Sequence, residues 1–363
     1  MNVNHNGKIV HYRTVSFDEQ KNSVVLIDQK ILPHTFSLAE TVDYVDTARA
    51  ISDMTVRGAG AIGATAAYGL AQGARAYKGD MDDLVAFNQH VQKVFETLSG
   101  ARPTAVDPVN AMKQILHEME KGKSVAEKQE IALRMAYSFA NEDVEHCRAI
   151  GKYGSKLIHD GMGVLTHCNA GWLAFVDVGS ATAPIYAAQE QGKNFHVYCD
   201  ETRPRSQGAI LTAYELAQQG IPHHIIPDNA AAHLMQRGKI QLVITGADRV
   251  LAKTGEAANK IGTLAKAISA HYHNIPFYIA IPMSTIDWNM ESGMDIPIEE
   301  RSQEEVRCAW GALPNGERGY VRVANPTSPA LNPGFDVTPA ELITGFITPM
   351  GIIKPSELKN LKR

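Results

Sequence analysis

The sequence has little of what usually settles a protein's class at a glance. Its four cysteines, Cys147, Cys168, Cys199 and Cys308, stand far apart with no CxxC pair. That spacing argues against a zinc site or a disulfide framework and leads us to expect reduced thiols in a cytoplasmic protein. No apolar run approaches the ~20 residues of a membrane-spanning helix, and Met1 to Lys8 lacks the apolar core of a secretory leader. A charge excess is missing too. Lys and Arg number 35 against 39 Asp and Glu, a formal net charge of -4, which offers no footprint for nucleic acid or an anionic membrane. There is no GxGxxG after the first strand of the second half and no Walker-type loop, so neither a dinucleotide nor a nucleoside triphosphate is expected.

What is there reads as a globular α/β protein. The composition is 44% hydrophobic and 20% charged, and 363 residues exceed one ordinary core. We expect two domains, 1–150 and 151–363. In the first, Ile9–Tyr12 and Val24–Asp28 read as strands. Ser37-Leu38-Ala39-Glu40 reads as a capping box opening a helix. Helical spacing then recurs at Leu84, Phe87, Val91, Val94 and Leu98, around Met112, Ile115 and Met119, and from Ile131 to Val144. From about residue 160 the rhythm becomes strand, loop, helix, with apolar runs at Val164–Leu165, Phe195–Tyr198, His224–Ile226, Leu242–Ile244 and Phe277–Ile281. That alternation predicts βαβ units and a Rossmann-like parallel sheet. Beyond 283, Pro297, Pro326, Pro329, Pro333 and Pro339 predict irregular structure.

Most of these strands end in polar residues, and ligands of open parallel sheets sit beyond the carboxyl ends of the strands. The first run delivers His167-Cys168-Asn169, the second Asp200 to Gln207, the third Asp228, and the fourth Asp248-Arg249. Each residue has a plainer reading. Cys168 is a small core hydrophobe on that view, Asp228 a helix cap, and Asp248 a buried carboxylate paired with Arg249 or Arg203. If Asp248 is instead desolvated, its pKa rises and it suits a general acid. Arg57-Gly58-Ala59 opens a helix, and Asn259-Lys260 is expected to open another at Ile261. Helix N-termini and basic side chains hold phosphate. Arg102 is a lone basic residue at an expected turn.

Taken in order, the motifs resemble those of the 5-methylthioribose-1-phosphate isomerases of methionine salvage. They are Val56-Arg57-Gly58-Ala59, Arg102-Pro103-Thr104, His167-Cys168-Asn169-Ala170-Gly171, Asp200-Glu201-Thr202-Arg203-Pro204 with Gln207-Gly208, Gly246-Ala247-Asp248-Arg249 and Asn259-Lys260-Ile261-Gly262. Ile296-Pro297-Ile298-Glu299-Glu300-Arg301 and Phe335-Asp336-Val337-Thr338-Pro339 extend the resemblance over nearly the whole chain. It implies a small N-terminal α/β domain, a Rossmann-like catalytic domain and a homodimer. It further implies a phosphorylated pentose as substrate, with no metal and no organic cofactor. Cys168 and Asp248 match the family's catalytic pair, and Arg57, Gly58, Ala59, Arg102, Gln207, Asn259 and Lys260 its substrate-binding positions. One residue departs: Gly60 stands where many members carry proline, which leaves the sugar's 5-substituent open between methylthio and the hydrogen of a 5-deoxy sugar. A ribose 1,5-bisphosphate isomerase would need an added basic cluster for its second phosphate. A regulatory subunit of the translation-initiation exchange factor, which the same fold resembles, has no need of the full set of Cys168, Asp248, Arg57, Arg102 and Lys260.

Overall fold

Buried apolar runs separated by helix-length segments become, from residue 163 onward, a seven-stranded sheet. The computed structural model describes residues 1–5, 7–102 and 107–361. Pro103 and Thr104 of the Arg102 motif lie outside the described residues. The sheet's parallel strands, in chain order, are Gly163–Thr166, His196–Asp200, His223–Ile226, Leu242–Thr245, Phe277–Ala280 and Gly345–Thr348. Gly351–Ile353 closes one edge as an antiparallel hairpin. Numbered in chain order, the six parallel strands are arranged 3-2-1-4-5-6. The order reverses between Gly163–Thr166 and Leu242–Thr245, and such a switch point opens a crevice at the carboxyl ends of the two strands.

The chain divides into two compact units. One comprises Met1–Cys147 with Gly171–Gly179, the other Arg148–Ala170 with Ser180–Arg363. In the first, Val15–Asp18, Ser23–Ile27 and Leu38–Thr41 form an antiparallel sheet. Helices Tyr44–Ser52, Ala59–Arg75, Leu84–Gly100, Asp107–Met119 and Val125–Gly154 follow, the last running on past the unit boundary. The helix Ala59–Arg75 is buried from Gly60 to Ala74. Its run of Ala and Gly lets neighbouring helices approach, and Phe87, Val91, Val94 and Leu98 of the next helix form one stripe of the shared core.

The capping box at Ser37 is not one. Leu38–Thr41 pairs antiparallel with Ser23–Ile27, and the Glu40 carboxylate accepts from Ser23 across that pair. The helix starts later, where Asp43 caps Val45 and Asp46. Cross-strand pairing outweighed the local signal. The region after 283 is also more ordered than its prolines suggested: it supplies Gly345–Thr348 to the main sheet and Phe335–Thr338 to a four-stranded one. No described helix is long and apolar enough to cross a membrane.

Candidate active site

The first strand ends in Thr166, and two residues on Cys168 turns into the left-handed region at φ 66°. Only glycine adopts that conformation without cost, so a cysteine there must be held. Its N–H donates to Thr202 Oγ1 at 2.9 Å, and its carbonyl accepts from Thr212 Oγ1 at 2.7 Å. Thr202 is itself left-handed, at φ 62°, with its N–H on Asp228 Oδ1 at 2.7 Å. Two strained residues in contact mark a place where backbone geometry serves something other than stability. The thiol lies 3.8 Å from Gln207 Oε1, so two of the expected site residues meet.

Thr212 and Gln207 reach Cys168 because residues Gly208–Thr212 form a π-helical turn directly after Gln207. Behind it, the fully buried Glu215 accepts from Asn169 Nδ2 at 2.9 Å and from the Tyr186 hydroxyl at 2.7 Å. Burial, reinforced by the Glu215 carboxylate, pushes the Tyr186 phenol well above its ordinary range, so it remains a donor. Cys199 serves as a contrast. Burial, with the neighbouring Asp200 charge, raises its thiol strongly, and it is a core residue. Cys168 is partly exposed, and the plain core reading does not describe it.

Across the switch point, Gly246 packs on the Ala170 methyl so closely that a Cβ at 246 would come within 2.5 Å of it. The Cys168 turn and the loop carrying Asp248 are thereby set against each other. Asp248 is exposed, with its N–H on Ala258 O at 2.9 Å. It is not the buried carboxylate of the plainer reading. Arg249 pairs with Asp287 at 3.4 Å, and Arg203 donates to the carbonyls of Glu305, Val306 and Cys308. Burial within this chain does not desolvate Asp248 either.

Asn259 and Lys260 do not begin a helix. They end the strand Ala257–Lys260, which pairs antiparallel with Phe335–Thr338. Both are buried: Asn259 Nδ2 donates to Thr263 Oγ1 at 3.0 Å, while Lys260 Nζ donates to Gly334 O at 3.0 Å and lies over the Phe335 ring. The helix begins at Thr263, and its first amides are already taken. Asp336 accepts from Gly262 N at 2.7 Å and Leu264 N at 3.1 Å. Burial raises the Asp336 carboxyl and those two amide bonds partly offset the rise. The start of this helix is therefore not a free anion-binding site. Asp228 is no cap of its own helix either; it clamps the amides of Thr202 and Arg203 at 2.7 Å each.

His167, Asp200 and Asp228 are the one group among the described residues whose donor atoms all lie within 4.8 Å, as a metal site would need. Lys266 Nζ already stands there, 3.2 Å from Asp200 Oδ2 and 2.7 Å from the Asp228 carbonyl. An ammonium fills the cation's place.

Arg57, Gly58, Ala59 and Arg102 belong to the first unit. Arg57 and Arg102 are half-buried, and Gly58 at φ 89° opens the helix Ala59–Arg75 without a side-chain cap. A Cβ on Gly58 would fall 2.3 Å from Ala174 Cα. Gly60 has a packing reason of its own: a Cβ there would meet Asp143 Oδ1 at 2.5 Å and the Phe175 ring at 2.6 Å. Sequence reasoning missed Thr212, Glu215, Lys266 and Asp336 as parts of the site. Asp336 lay inside one of the family motifs without being singled out; for Thr212, Glu215 and Lys266 no local pattern marked the residue.

Residues 55–355 match the initiation factor 2 subunit family. The methylthioribose-1-phosphate isomerase of Brucella anthropi is 47% identical over 359 residues, 95% of each chain. The crystal structure of 5-methylthioribose 1-phosphate isomerase from Pyrococcus horikoshii matches with a TM-score of 0.87 and 40% identity, covering 96% of this chain and 94% of that one. That of the translation initiation factor eIF-2B, subunit delta, from A. fulgidus matches at 0.83 and 39%, covering 96% and 97%. The chain belongs to the methylthioribose-1-phosphate isomerases within the initiation factor 2 subunit family.

Proposed function

We propose that this protein is an aldose–ketose isomerase that converts 5-methylthio-α-D-ribose 1-phosphate into 5-methylthio-D-ribulose 1-phosphate. The observation that carries the reading is the strained, hydrogen-bonded Cys168 set against the Asp248 loop at the switch point of a 3-2-1-4-5-6 sheet. The relatives' name supplies the substrate. In this reading Gln207, Asn259, Lys260, Arg57, Gly58, Ala59 and Arg102 are the substrate-binding residues. A cytoplasmic homodimer is part of the same reading.

The chemistry explains the residue types. The anomeric phosphate locks the sugar as a cyclic acetal, so the ring must open first. Asp248 donates a proton to the ring oxygen as the bond from C1 to that oxygen breaks. Because the carboxyl is exposed in the chain, the bound sugar must exclude water from it for the acid form to persist. Hydrogen then passes from C2 to C1, and the C2 hydroxyl loses its proton to leave the ketone. If a proton moves, Cys168 removes it from C2 and an enediol-type intermediate is reprotonated at C1. If a hydride moves, the thiol stabilises the charge as it develops. Gly60, filled against by Asp143 and Phe175, gives no reason to favour a 5-deoxy sugar.

The test follows ketose formation from 5-methylthioribose 1-phosphate and from 5-deoxyribose 1-phosphate by the full-length protein, without added cofactor, in H2O and D2O. Preference for the thioether is expected, and solvent deuterium enters C1 only on the proton route. Cys168→Ser and Asp248→Asn should each lower kcat at least about 10²-fold while the protein stays folded. Inactivity on both sugars, or wild-type rates in either variant, would defeat the reading.

A further inference from the structure

We propose that Lys266, Asp200 and His167 form a buried positioning relay that sets Cys168 in register with Asn259 and Lys260. The inference rests on the isomerase reading above and adds three residues to it. They are 3%, 0% and 1% exposed. Ionic groups buried to this degree are costly, and well-packed apolar residues often replace them without loss of stability. Folding alone therefore does not account for this triad.

Its geometry points outward at both ends. Lys266 Nζ is 3.2 Å from Asp200 Oδ2, and that same oxygen is 2.9 Å from His167 Nδ1. His167 Nε2 lies 2.9 Å from Ile261 O. A carbonyl oxygen only accepts, so Nε2 bears a hydrogen and donates it. Asp200 Oδ1 is buried with no hydrogen-bond partner, which leaves the carboxylate dependent on Lys266 and His167 through its other oxygen. His167 immediately precedes Cys168, and Ile261 immediately follows Lys260. The Asp200 carbonyl accepts from Thr202 Oγ1 at 3.1 Å, the hydroxyl that in turn takes the Cys168 N–H. One imidazole thus ties the thiol's turn to the end of the Asn259–Lys260 strand, and the ion pair behind it fixes the ring's plane. None of the three needs to touch substrate. They are positioning residues.

His167→Phe keeps a ring and removes both hydrogen bonds, and His167→Gln serves if the phenylalanine variant does not fold, with circular dichroism and thermal melting as checks. Steady-state kinetics on 5-methylthioribose 1-phosphate should show kcat down about 10²-fold with KM little changed, the mark of a misplaced group and not of a lost contact. Lys266→Arg should recover most of the kcat that Lys266→Met loses. Independently of turnover, iodoacetamide should alkylate Cys168 more slowly in His167→Phe than in wild type, because losing the His167 N–H leaves the Asp200 carboxylate with Lys266 alone and this less compensated charge disfavours a nearby thiolate. Cys308, which is partly exposed, is the reference thiol in the same digest. Wild-type kcat in His167→Phe, or a loss matched by the unfolded fraction, overturns the relay. If wild type turns over neither sugar, the isomerase reading fails and alkylation alone decides: a slowed Cys168 keeps the relay, an unchanged one ends it.

Discussion

The turns at Gly58 and Cys168 each place a residue in the left-handed region, and the two are held there by different means. Gly58 reaches φ 89° at the start of the helix Ala59–Arg75 with no side chain to oppose it, and Ala174 occupies the space a Cβ would need. Cys168 reaches φ 66° with its side chain in place, and Thr202, Thr212 and Gln207 surround it. A turn that only presents backbone can use glycine and close packing. A turn that must present a thiol has to offset roughly 1–2 kcal/mol of local strain with hydrogen bonds drawn from elsewhere in the fold. That is why buried polar groups gather behind Cys168, while the Gly58 turn packs on Ala174.

The comparison can be broken most forcefully at Gly58. Gly58→Ala adds a methyl against Ala174 in a conformation alanine resists, and it should cost at least about 2 kcal/mol, read as a lowered urea midpoint. Stability unchanged within error would mean that close packing does not hold this turn. Next in size are the threonines. Thr212→Val or Thr202→Val strips one hydrogen bond from the Cys168 backbone, and each should cost about 1–3 kcal/mol, with kcat falling more than KM rises. A variant that loses stability but keeps kcat would separate the bonds from the chemistry. Smallest, and sharpest, is Cys168→Gly. In an ordinary strand-end position glycine costs roughly 0.5–1 kcal/mol; here relief of strain should cancel that, leaving the midpoint near wild type while turnover disappears. A clear drop in midpoint would show that the thiol is a structural anchor.

Much of the second half was legible because it obeys one local rule. Buried parallel strands read as short apolar runs, and the runs at Val164, Val197, Ile225, Val243 and Ile279 all became strands of one sheet. The failures share a cause as well. Glu40 and Lys260 looked like parts of helix starts, yet both lie in antiparallel strands whose partners stand elsewhere in the chain, Val25 for the first and Phe335 for the second. Local spacing cannot register a hydrogen bond to a residue seventy positions away.

By itself the sequence determined the residue types at the strand ends, the family resemblance and the reaction they imply, since chemistry of this kind needs particular side chains in a particular order. Only the tertiary structure decided how those residues are held: that Asp248 is exposed, that Asp336 takes the amides at the start of the Thr263 helix, and that Lys266, Asp200 and His167 meet in the buried interior. The physical reason is that each of these depends on partners distant in sequence. Burial and charge compensation are properties of a packed neighbourhood, and a neighbourhood exists only after the chain has folded.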